Sequence, residues 1–174
     1  MKFRYFLAIC LASMVAHAQQ APTPAVPAST PAAAPVEQAS ISALEIAERI
    51  HQAEAVTKSG APYHGAPLLL SGPYKANLEY HDKPADSFNV HENDSELFVV
   101  IEGSGTMTLG GKLINPTRKD ANLMAPTEEG GVAHKLVKGD MLLVPENTVH
   151  AVTQVDGRLV LMSMHLPHVA AAPH

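Results

Sequence analysis

The sequence predicts one all-β domain, a sandwich or small barrel of short strands, opened by a single helix. Three observations lead there. Short runs of β-branched, aromatic and aliphatic residues recur from about residue 68 to 165, and Gly, Pro, Asn and Asp punctuate them. A helical period occurs once, ahead of Ser59-Gly60. The stretch between about residues 21 and 40 has too little apolar content to join a core.

Met1 to Ala18 has the form of a secretory signal. Lys2 and Arg4 charge its start, Tyr5 to Val15 are apolar, and Ala16-His17-Ala18 offers small residues for cleavage. The apolar run falls short of the roughly 20 residues that a membrane span needs, so the expectation is a secreted or periplasmic protein with no span. Cys10 is the single cysteine and lies inside this segment, which leaves the mature chain without disulfides or thiolate chemistry. Cleavage removes two basic residues and no acidic ones. Lys plus Arg falls from 12 to 10 against 17 Asp plus Glu, and the net charge moves from -5 to -7. Nucleic acid is thereby a poor partner. Residues 19–40, with Pro at 22, 24, 27, 31 and 35, read as an extended Ala/Pro-rich tether.

The helix occupies residues 41–60. Ser42 and Glu45 form a capping-box pair, and Ala43, Ile46, Ile50 and Ala53 repeat at helical spacing. Such a helix can cover an exposed sheet edge. Residues 61–174 hold the β-domain, with strand-like runs at 68–70, 75–80, 87–91, 96–101, 105–109, 112–114, 134–137, 141–144, 150–154 and 159–165. Gly110-Gly111 reads as a two-residue hairpin turn between two of these runs. Residues 116–131 have no strand period and read as a long surface loop with the makings of a lid.

Two runs carry metal-ligand chemistry. In NVHENDSELFVVIEG, His91 and Glu96 are five residues apart, which breaks strand parity, so the polar Glu92-Asn93-Asp94-Ser95 segment must turn between them. In GDMLLVPENTVHAV, Pro145-Glu146-Asn147-Thr148 turns the chain and His150 opens the returning strand. Two imidazoles and a carboxylate with open positions suit one divalent transition metal. Asn89 shares a face with His91. Phe98, Val152 and Gln154 are expected to line the cavity, and Glu96 to move protons when its ligation loosens. His81 and His165 are secondary candidates for the interior, His134 a weaker one. Met162 and Met164 suit packing.

These runs resemble the paired motifs of the cupin superfamily. The first motif, G-x5-HxH-x3,4-E-x6-G, is met at His91, Glu96 and Gly103; the second, G-x5-PxG-xx-H-x3-N, at Gly139, Pro145 and His150. The sequence departs from them at Lys83, Asn89, Asn147 and Gln154, of which Asn147 is a mild change because Asn tolerates left-handed backbone. Asn89 stands at the position of the first histidine, so the resemblance implies that it is a candidate weak fourth ligand. The resemblance implies a double-stranded β-helix, a jelly-roll-like barrel, often paired as a homodimer. It also allows copper or iron enzymes that oxidise phenolics or plant-derived substrates. An ion acquired outside the cytosol follows intrinsic affinity, which favours copper, with iron, manganese, zinc or nickel as alternatives. The expected function is a copper-dependent oxidoreductase acting on a phenolic or oligosaccharide. A redox-inert metal-dependent isomerase or lyase and a non-catalytic sugar-binding or small-molecule-binding protein are the alternatives. With no Trp in the chain, stacking of sugar rings rests on tyrosines.

Overall fold

A computed structural model describes residues 36–60 and 65–168. The expected signal segment and the tether up to residue 35 lie outside the described residues. Val36–Gln38, expected within the tether, form a strand, β1, paired antiparallel with β2. Helix α1 spans Ala43–Lys58 and starts in a complete capping box, in which the Ser42 hydroxyl accepts from the Glu45 amide and the Glu45 carboxylate accepts from the Ser42 amide. Two of the helix's otherwise orphaned amides are satisfied by this exchange.

Eleven further strands follow: β2 (Ala66–Ser71), β3 (Tyr74–His81), β4 (Phe88–His91), β5 (Asp94–Leu109), β6 (Lys112–Leu113), β7 (Thr117–Lys119), β8 (Asn122–Ala125), β9 (Glu128–Glu129), β10 (Val132–Val137), β11 (Met141–Val144) and β12 (His150–Pro167). Runs expected as separate strands on either side of Gly103, and on either side of 155–158, merge into the long β5 and β12. These two pair along their whole length as one antiparallel ribbon, from Asp94 opposite Pro167 to Leu109 opposite His150. The ribbon bends where the register slips between Val155 and Leu159. There Gly103 takes φ 77 and Gly157 φ 80, backbone that side chains with a Cβ resist.

The bend divides the ribbon between two layers. In the first, β1, β2, β3, the second half of β12, the first half of β5 and β11 lie in order; in the second, β7, β8, β4, the first half of β12, the second half of β5 and β10 do. Side chains from both halves of the ribbon meet in one core, with Phe98, Val100, Leu159 and Leu161 from the first layer against Met107, Leu136 and Val152 from the second. The strand pairings form a jelly-roll-like double layer and do not close into a continuous barrel. Helix α1 covers a sheet face, not an edge: Ile50 and Ala53 pack on Leu68, Ala76, Leu78 and Val160, with Met162 and Met164 beside them.

Two expected connections differ. Gly110 and Gly111 do turn the chain, with φ 79 and 75, yet no hairpin with β5 results. Both edges of β5 are already taken there, by β10 at Thr108 and Leu109 and by β12 at the same residues. Lys112 and Leu113 pair instead with Glu129 and Glu128. The expected 116–131 loop contains β7, β8 and β9, and Glu128 accepts a hydrogen bond from the Gly131 amide. No helix among the described residues is long and apolar enough to cross a membrane.

Candidate metal centre

Folding the ribbon brings its two ends together. Glu96 lies near one end of β5 and faces His165 across the ladder; His150 lies at the other end of the ribbon, opposite Leu109 on one side and Asn89 on the other. His91 ends β4, and its carbonyl accepts from the Asn147 amide in the turn before β12. Asn147 stands at φ 60, the left-handed conformation that glycine would otherwise supply. Glu146 is tied to the first motif as well, its amide donating to the Ser95 hydroxyl.

The result is a convergence of electron-pair donors. Nε2 of His91 lies 3.2 Å and Nε2 of His150 3.3 Å from one oxygen, Oε2, of Glu96. Atoms of these three residues all fall within 4.8 Å of one another, as a bound ion requires. The far nitrogens fix the tautomers. His150 Nδ1 is 3.1 Å from the Thr148 carbonyl oxygen, which can only accept, and His91 Nδ1 is 2.8 Å from Asn122 Oδ1. Each Nδ1 therefore carries the proton in the neutral ring, and each Nε2 turns its lone pair inward. Two lone pairs and a carboxylate oxygen facing one point call for a cation there, or for added protons. Anchoring the outer nitrogen in this way also orients metal-ligating histidines, so the donor set fits a divalent transition ion.

In the metal-free centre, protons can take the cation's place between these donors. Burial pushes the Glu96 carboxyl upward, but hydrogen bonds from His150 and His91, with the nearby His165, outweigh it and hold the group at about 2. The hydrogen bond to Glu96 raises the His91 pKa; burial opposes this, and the bond to Asn122 supports it. Glu96 is 4 % exposed and His150 5 %, so both act largely out of water.

No family model matches the sequence, and no curated protein matches it. Solved structures with a similar arrangement include the Schizosaccharomyces pombe Cnp3 cupin domain, at 13 % identity and TM-score 0.44, over 60 % of this chain and 60 % of that one. A cupin superfamily protein from Desulfitobacterium hafniense DCB-2 is similar at 18 % identity and TM-score 0.40, over 60 % of this chain and 77 % of the other. Hydroquinone 1,2-dioxygenase from Sphingomonas sp. TTNP3, with 4-hydroxybenzoate bound, is similar at 12 % identity and TM-score 0.48, over 63 % and 68 %. Likeness at this level is one of strand arrangement and brings no reaction with it.

Several expected positions fall elsewhere. Gln154 is exposed and its amide donates to Asp156 at 2.7 Å, near the bend of the ribbon, so it is no cavity wall. Val152 is buried in the core, while Phe98 both joins that core and sets its ring 6.0 Å from that of His150. Asn89 lies directly across from His150 in the ladder, on the face that His150 presents. His134 is exposed, and His81 pairs with Glu79 at 3.2 Å.

Two further residues join the centre: His165, a secondary candidate for the interior, and Asn122, which the sequence did not single out. His165 places Nε2 3.4 Å from Glu96 Oε1, the oxygen that His91 and His150 leave free, and its ring 4.9 Å from that of His91. Asn122, in the segment read as a loop, anchors His91. Glu92, just past the end of β4, and Arg118 of β7 form a two-pronged ion pair that spans the intervening β8.

Proposed function

We propose that this protein is an exported metalloprotein in which His91 Nε2, His150 Nε2 and Glu96 Oε2 hold one divalent transition ion, and that it is an oxidoreductase acting on a small plant-derived phenolic or oligosaccharide. The observation that carries this reading is the inward convergence of two imidazole lone pairs and a carboxylate oxygen, with both outer imidazole nitrogens anchored. Copper is the favoured ion on the grounds of intrinsic affinity outside the cytosol. A bound redox ion would supply electron transfer to or from substrate at positions that the protein leaves open. The chain's own residues hold it, keep bulk water away through Phe98, and place His165 at the second oxygen of Glu96, where it can hold or pass a proton.

Elemental analysis and electron paramagnetic resonance of the mature protein, as purified and after reconstitution, test the proposal. One ion per chain is expected, with a copper spectrum split by two imidazole nitrogens and lost in His150→Ala. Oxidation of hydroxybenzoates or oligosaccharides with oxygen or peroxide and ascorbate should fall in that variant. No stoichiometric ion after reconstitution, or equal turnover in His150→Ala, would overturn the reading.

A further inference from the structure

His165 has two neighbourhoods. One is Glu96; the other is a cavity of about 910 Å³ whose lining includes Asn77, Glu79, His81, Ser163 and His165. Its size lies within the range of small-molecule sites, about 300 to 1,000 Å³. Strand alternation explains the lining. On β3, Ala76 and Leu78 point toward helix α1, which leaves Asn77, Glu79 and His81 on the opposite face. On β12, Ser163 stands directly across from Asn77 in the ladder, and His165 follows two residues on.

The chemistry of that row is specific. Ser163 is 1 % exposed, and among the described residues its hydroxyl makes no hydrogen bond. Buried hydroxyls normally have a partner, and this one stands at the cavity wall. The Asn77 amide, which offers both donors and an acceptor, is likewise unengaged among the described residues. At the far end, Glu79 and His81 form a carboxylate-imidazole pair. Charge at the rim disfavours an anion: Lys83 is paired with Asp86 at 3.5 Å, and Glu79 and Asp82 add further negative charge. Among the described residues of the lining Tyr80 carries the one phenyl ring, so a phenol would have that one phenyl ring to stack on.

We propose that this cavity binds a neutral, polyhydroxylated small molecule, a sugar or alditol, whose hydroxyls are met by Ser163, Asn77 and the Glu79-His81 pair, with His165 standing between the ligand and Glu96. As the substrate class of the metal centre this rests on the function proposed above. Binding itself requires no ion.

Titration calorimetry on the metal-free and the metal-loaded protein tests it, with D-glucose, cellobiose and D-sorbitol as probes and 4-hydroxybenzoate and glucose 6-phosphate as contrasts. At least one neutral probe should bind both forms, more tightly than either contrast. Ser163→Ala, nearly isosteric and checked for unchanged circular dichroism and Tm, should weaken that binding at least tenfold, and Asn77→Ala should weaken it too. His91→Ala should lower metal affinity and keep sugar binding, which separates the two readings: loss of metal binding alone leaves this proposal standing. Failure of every neutral probe, tighter binding of either contrast, or binding that Ser163→Ala does not change would overturn it.

Discussion

Replacing Glu96 by Gln removes one negative charge from the metal-free centre at almost constant volume, so core packing stays out of the comparison. The carboxyl is held at about 2 against an ordinary 4.5, a preference for the ionised form of about 3 kcal/mol in the folded state. Because the folded value is the lower one, this stabilisation is fully present above pH 4.5 and is lost as pH falls toward 2. The raised His91 pKa works in the opposite sense. Its contribution is full below its ordinary value of 6.5 and fades as pH rises through the raised one. Both describe one interaction seen from two partners, so they are counted once. The metal-free parent should then be most stable between about pH 4.5 and 6.5. At pH 5.5 the Gln amide recovers a single hydrogen bond, worth about 1 kcal/mol, which leaves a net loss of about 2 kcal/mol. With a urea m-value of about 1 to 3 kcal/mol/M, the midpoint should move down by about 1 M. Urea unfolding of chelator-treated parent and variant at pH 2.5, 3.5, 4.5 and 5.5 measures this. The parent should lose stability through that range more steeply than Glu96→Gln. Parallel curves would refute the ion-pair account of Glu96.

Three other outcomes follow from the same geometry. Asn122→Ala frees the His91 ring to rotate, and metal affinity measured by competition with a chromophoric chelator should fall about 10- to 100-fold, with little change in Tm. Copper or zinc affinity should rise with pH until His91 has lost its proton, since the ion competes with that proton at Nε2; a dissociation constant flat between pH 5.5 and 8 would count against His91 as a ligand. Gly103→Ala places a Cβ on the Arg158 carbonyl in a residue at φ 77, and denaturant unfolding should show a loss of about 2 to 4 kcal/mol.

What sequence could reveal about this centre follows from how each residue is held. His91, Glu96 and His150 are legible because each sits beside a turn whose residues are written locally: Glu92 to Ser95 on one side, Pro145 to Thr148 on the other. Asn147 was readable for the same reason, and its φ of 60 matches the left-handed turn. Asn122 is different. It bonds to a residue 31 positions away, and its strand, four residues long with Asn, Met and Ala in it, has no alternation strong enough to stand out. Only pairing with β4 on one side and β7 on the other makes a strand of it. Gln154 went astray through the opposite error. Alternation from His150 is reliable only while the register holds, and the ladder slips between Val152 and Gln154, so the face that His150 shares does not extend to Gln154. The same slippage, continued to Leu159, folds the ribbon and brings its His150 end to Glu96, which already faces His165 across the ladder. A bulge is thus the feature that local pattern reads worst and that this site depends on most, because shifting parity by one residue decides which side chains meet. Deleting one residue from the slipped segment at Asp156-Gly157 should part His150 from Glu96 while the ladder pair of Glu96 and His165 stays in register. Metal affinity, measured by competition with a chelator, should fall with it; a variant that keeps the parent's affinity would refute the claim that the bend assembles the trio.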